Sequence, residues 1–185
     1  MTLPKEDAQK VVECVRYLNQ LGTDVHAMFS AAETLLQLKG YMPIKKEIVL
    51  GPSIWVSEPR GWIPEVFGRV YSRAEGRNVV DEEYVIEVHL APEFAEEPSV
   101  VFGKVIFAKK AEASAHYNAW DSYFWLGSKL ERGQTQTNIS GNEATEVWGG
   151  AKEIRVRCLP LFSLRSEGDI KARLVDPFLD LCQKS

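Results

Sequence analysis

The stretch from Pro43 to Lys110 alternates apolar and polar residues with a period of two, and twice it writes nearly the same five letters: VFGRV at 66–70 and VFGKV at 101–105. Period-two patterning is the signature of strands with one face buried. It confines this part of the chain to a sheet. The expected strands are 47–57, 65–73, 83–90 and 100–109. The connections between them, EPRGWIP, AEGRNVVD and APEFAEEPS, are of hairpin length and rich in Pro, Gly and acids, which predicts an antiparallel meander over 44–110.

The repeat extends beyond five letters. IWVSEPRGWIPEVFGRV and IEVHLAPEFAEEPSVVFGKV each begin I-x-V, reach a proline, turn, and arrive at VFG[RK]V. They read as two similar hairpins side by side. Duplication and the coincidence of two amphipathic hairpins both account for the likeness.

Flanking segments change period. Residues 1–40 read as a helical pair. The first helix, over 4–20, has Pro4 at its start, acids at Glu6 and Asp7, and Ala8, Val11, Val12, Val15 and Leu18 on one face. Thr23 is placed to cap a second helix that buries Val25, Met28, Phe29, Ala32, Leu35 and Leu36 and ends at Gly40. One long helix kinked at Gly22 is the alternative. A further helix is expected over 111–130, a polar mobile loop over 131–150, and a last strand followed by a C-terminal helix over 151–185. Ser166 and Asp169 mark the start of that helix, Ile170, Leu174, Phe178 and Cys182 form its apolar face, and Pro177 should kink or split it. The whole predicts a single α+β domain of 185 residues: two N-terminal helices, a four- to five-stranded antiparallel meander, a helix inserted before the last strand and a helix at the end.

Strand parity sorts the side chains. Val66, Gly68 and Val70 share a face, as do Val101, Gly103 and Val105. With the third strand between them, the two glycines are expected to flank its apolar row, Tyr84, Ile86, Val88 and Leu90, and to leave a groove for a helix or a flat ligand. The opposite face then gathers Arg69, Arg73, Glu87, His89, Lys104, Arg155 and Arg157 among Phe67, Tyr71, Phe102 and Ile106. Three readings follow: cover by a helix or partner, a solvated surface, or a site where cations track phosphates and rings stack on bases.

Known chemistries are mostly excluded. His26, His89 and His116 have no metal-ligand spacing with one another, and Cys14, Cys158 and Cys182 are isolated, so no metal or cofactor is expected. The phosphate-cradling glycine loops and the G-x-S-x-G elbow are missing from the sequence. The weak catalytic candidates are Glu87 and His89, two apart on one strand and so about 6–7 Å between Cβ atoms on the same side. A salt bridge from Glu87 to Arg69 or Lys104 is the plain alternative. In HYNAWDSYFW, Tyr123 and Trp125 fall off the helical stripe and are candidates to line a pocket or an interface.

The net charge of −4 argues against a protein that seeks phosphate over its whole surface. Three cysteines without a C-x-x-C pair fit a reducing compartment, and the start of the chain lacks a signal-peptide pattern, so a cytoplasmic location is expected, with no membrane span. The leading expectation is a self-associating binding or adaptor domain, a homodimer or the partner of another protein, that works through Arg69, Tyr71, Arg73, Lys104, Arg155 and Arg157 or through Tyr123 and Trp125. The alternatives are an enzyme for a small phosphate-bearing substrate, with Glu87 and His89 as acid and base and Arg69 or Lys104 holding the anion, and a single-stranded nucleic-acid binder.

Overall fold

The computed structural model describes residues 5–50, 66–73, 79–90, 97–112, 139–140, 143–146 and 151–183. The architecture is α+β. Among the described residues one long helix, α1 (Lys5–Gln37), precedes a seven-stranded antiparallel sheet. The strands are β1 (Met42–Leu50), β2 (Val66–Ser72), β3 (Val79–His89), β4 (Ser99–Glu112), β5 (Ile139–Ser140), β6 (Glu143–Glu146) and β7 (Ala151–Pro160). Their order across the sheet is β1-β2-β3-β4-β7-β6-β5. A 3-10 turn (Leu161–Ser163) leads into α2 (Glu167–Asp169), a π segment (Ile170–Val175) and α3 (Asp176–Gln183).

The expected helical pair is a single helix of 33 residues. Gly22 lowers helix propensity by about 1 kcal/mol relative to Ala, which is too little to end a helix whose apolar seam runs straight through it. Thr23 does not cap a second helix. Its hydroxyl donates to the Asn19 carbonyl one turn back, and Gln20 donates to Asp24 across the same stretch. The stop at Gly40 falls where it was expected. Gly40 adopts φ 79°, its N–H bonds the Gln37 carbonyl, and the Tyr41 N–H bonds that of Leu36, the six-to-one and five-to-two pattern of a Schellman cap.

β1 to β4 pair in chain order, as the meander predicts. β7 then joins β4, and the segment expected to be a mobile loop supplies β5 and β6 at the edge beyond it. The helix expected over 111–130 lies outside the described residues from 113 onward; Ala111 and Glu112 end β4.

At the C-terminus Ser166 caps as predicted, accepting from the Asp169 N–H and donating to its carboxylate. Pro177 was expected to kink or split this helix, and the regular α-helical pattern is interrupted just before it. The preceding turns widen into the π segment, where the Asp176 N–H reaches the Lys171 carbonyl five residues back. This widening accommodates the missing proline donor and its ring, which an α-helical turn would not. Ile170, Leu174, Phe178 and Cys182 are all buried, as the spacing predicts.

The register corrects the expected faces. Phe67 pairs with Val88, Gly68 with Glu87, Arg69 with Ile86 and Tyr71 with Tyr84; on the other side Tyr84 pairs with Lys104, Val85 with Gly103 and Ile86 with Phe102. The two glycines do flank β3 on one face. The row between them, however, is Val85, Glu87 and His89, not Tyr84, Ile86 and Val88. Parity within a strand is fixed by sequence, but one residue more or less in a hairpin loop turns a strand's partner over.

Candidate functional site

The face of Tyr84, Ile86 and Val88 is the inside of the protein. Val25, Phe29, Ala32 and Leu36 of α1 and Leu174 and Phe178 of the C-terminal helices cover it. Tyr41, Tyr84 and Phe178 meet edge to face with ring centres 4.9–6.0 Å apart, pinning both helical layers to the sheet.

Of the three readings of the basic face, cover by a helix is the one the structure shows for Arg69, Lys104 and Arg157. Arg69 forms an ion pair with Glu33 of α1 and lies 5.1 Å from the centre of the Phe29 ring. Arg73 sits 4.9 Å over the Tyr41 ring. Arg157 donates to the Pro177 carbonyl (3.3 Å) and to Asp180 (3.1 Å), holding α3 to β7, and Arg155 bridges to Glu153. Arg69 and Lys104 are only 7% and 2% exposed, and Tyr71 is fully buried. Helices of the same chain cover this face, and Arg69 and Arg157 serve to seat α1 and α3 on it.

Glu87 and His89 lie on the opposite face, away from Arg69 and Lys104. Parity places the two side chains together, and the structure brings His89 Nε2 to 2.7 Å from Glu87 Oε2. Both residues are 0% exposed. Burial raises the Glu87 carboxyl above its usual range, opposed by the hydrogen bond and charge of His89. Glu87 Oε1 has no hydrogen-bond partner among the described residues. Glu83, on the same row, is pushed up to about 8 by burial. A carboxyl and an imidazole so placed can share a proton. Catalysis also needs access for a substrate, and neither side chain meets solvent. The arrangement that would have used Arg69 or Lys104 to hold an anion beside this pair is ruled out, because the sheet stands between them. The proposed Glu87 salt bridge to Arg69 or Lys104 fails for the same reason.

The twin glycines serve packing in the case where the neighbourhood is described. A Cβ on Gly103 would lie against the Arg155 carbonyl oxygen and 2.8 Å from Val156 Cα, so the β7 main chain occupies the space of the missing side chain. Tyr123 and Trp125 lie outside the described residues. Among the described residues no three His, Cys, Asp or Glu side chains form a metal-sized cluster, and no helix is long and apolar enough to cross a membrane.

Two features were not picked out as sites from the sequence. A groove of about 760 Å³ opens between α1 and the 161–170 segment, floored by Leu21, Val25, Met28 and Ile170, with the exposed Phe162 at its edge. The second is on α1 itself. Its inner half lies on the sheet, whereas Val11, Val12, Val15 and Tyr17 of its outer half are 55%, 44%, 53% and 58% exposed. The sequence shows the stripe, but its periodicity alone cannot tell a buried stripe from a displayed one.

Comparison with protein-family models, with curated proteins and with solved structures finds no match for this chain.

Proposed function

We propose that this chain is a non-catalytic binding or adaptor module whose docking surface is the outer half of α1. The carrying observation is the contrast along one helix. Val25, Phe29, Ala32 and Leu36 are buried against the sheet, and the same seam continues outward through Leu18, Val15, Val11 and Ala8 with its valines in solvent. Valine is a poor choice for a displayed helix surface on two grounds. Its branched side chain lowers helix propensity, and its apolar area favours burial. Val11 and Val15, with Val12 beside them, form an exposed apolar stripe of the kind that marks an interaction site, while Tyr17 lies round the helix from it. A partner that covers them supplies the burial that the chain's own sheet gives to the inner half.

The test uses the substitution pair Val11→Asp with Val15→Asp. Both positions are solvent-exposed, so the thermal midpoint should stay near that of the wild type. The fluorescent apolar probe bis-ANS should bind the folded wild-type protein and bind the variant several-fold less. Equal uptake by both proteins would contradict the assignment of the docking surface. Thermal-shift screening with nucleotides and divalent metals addresses the enzymatic alternative, which requires a ligand-dependent shift lost in His89→Gln.

A further inference from the structure

We infer that the partner seated on this surface is a second copy of the chain, its outer α1 half laid antiparallel across the first. The inference rests on the docking reading above and names its occupant.

The spacing of the seam is the first argument. Ala8, Val11, Val15, Leu18, Gly22, Val25, Phe29, Ala32 and Leu36 recur at alternating steps of three and four, a strict seven-residue repeat. A narrow seam of this period is what a helix presents to another helix; a helix lying on a sheet needs a wider face. The inner half has such a wider face, since Met28 is buried beside the seam and Leu35 partly so.

Size complementarity gives the direction. In an antiparallel pair centred near Glu13, Ala8 of each copy opposes Leu18 of the other, and Val11 opposes Val15. Each layer then joins residues of matching combined volume. A parallel pair in register would set Ala8 on Ala8 and Leu18 on Leu18, leaving one layer hollow and another crowded. The antiparallel arrangement also places the two sheets at opposite ends of the helix pair, clear of one another.

Charge permits the contact. The chain as a whole carries −4, which would oppose self-association, but the outer half balances Lys5, Lys10 and Arg16 against Glu6, Asp7 and Glu13. Two copies therefore meet through a segment that carries no net charge. The overlap, residues 5–21, is about 25 Å of helix. A pair of that length lies near the lower limit of specific interfaces, about 1,000 Å² in total, the size class of transient contacts.

The experiment is sedimentation velocity of the full chain from micromolar to near-millimolar concentration, with thiol cross-linking of the same samples by a short bis-maleimide. Cys14 is exposed and falls one position from the proposed two-fold axis, whereas a parallel pair would hold the two Cys14 thiols on opposite sides of the helix pair. The expected result is an apparent mass that doubles with concentration and a cross-linked dimer lost in Cys14→Ser. The Val11→Asp, Val15→Asp variant should stay monomeric throughout. A wild-type chain that remains monomeric, a dimer indifferent to the two aspartates, or a dimer without cross-linking at Cys14 overturns the inference. If the chain is monomeric yet still binds bis-ANS through the valines, the second copy is excluded and the docking surface stands. If the probe ignores the valines, the docking surface itself is wrong.

Discussion

His89 Nε2 lies 2.7 Å from Glu87 Oε2, and neither residue has any exposed surface. This is a pair whose removal and replacement have opposite consequences. Changing His89 to Leu alone strands a buried carboxyl, which costs about 3–5 kcal/mol. Changing both, Glu87→Met with His89→Leu, replaces the pair by apolar side chains and should leave stability within about 1 kcal/mol of wild type or above it. Urea unfolding of the two single variants and the double variant measures the coupling. A double variant as unstable as the sum of the singles would show that the pair does something other than satisfy itself.

Glu83 makes stability depend on pH in a stated direction. Burial moves its carboxyl from the ordinary 4.5 to about 8, so between those values the folded chain holds a proton that the unfolded chain has released. Stability therefore falls as pH rises through that window. Glu87, raised by burial as well, tilts the curve the same way. Glu83→Gln should flatten the slope of the urea midpoint against pH without abolishing it, and should raise stability most at the alkaline end. An unchanged slope would contradict the buried placement of Glu83.

Two glycines should respond to alanine with opposite signs. Gly103 faces the β7 main chain, which cannot yield as a side chain would, so Gly103→Ala should destabilise by at least about 3 kcal/mol, the upper end for overpacking. Gly22 has nothing within 4 Å of its absent Cβ and sits inside a helix, so Gly22→Ala should stabilise by up to about 1 kcal/mol. Thermal unfolding of both variants checks the pair. Stabilisation by Gly103→Ala would mean that β4 and β7 do not approach as described.

Much of this fold was legible in the sequence because it rests on local rules. Gly40 ends α1 through its positive φ, Ser166 caps the last helix through its hydroxyl, and period-two runs become β1 to β4 in order. Apart from the break read at Gly22 and Thr23 and the loop read over 131–150, what misled was a relation between elements. Parity fixed that Gly68 and Arg69 point opposite ways, but only the register decides that Arg69 stands beside Ile86 and Gly68 beside Glu87. Cover by a helix was one of three readings of the basic and aromatic face, but the pattern did not name Glu33, thirty-six positions earlier on α1, as the partner of Arg69. Such a distant partner leaves no trace in local spacing. The Glu87 and His89 contact was foreseeable from their separation of two, whereas their burial was not, since a charged pair in a strand ordinarily faces water. The outer stripe of α1 was visible as a pattern and invisible as a surface, because the pattern continues unchanged from the exposed half into the buried one.

Hydrogen exchange of the α1 amides, followed as protein concentration is raised, tests the central claim most directly. If the outer half of the helix docks a second copy, exchange over residues 8–18 slows markedly with concentration while residues 25–36, already held against the sheet, stay unchanged. Exchange over 8–18 that is the same at every concentration would contradict the account.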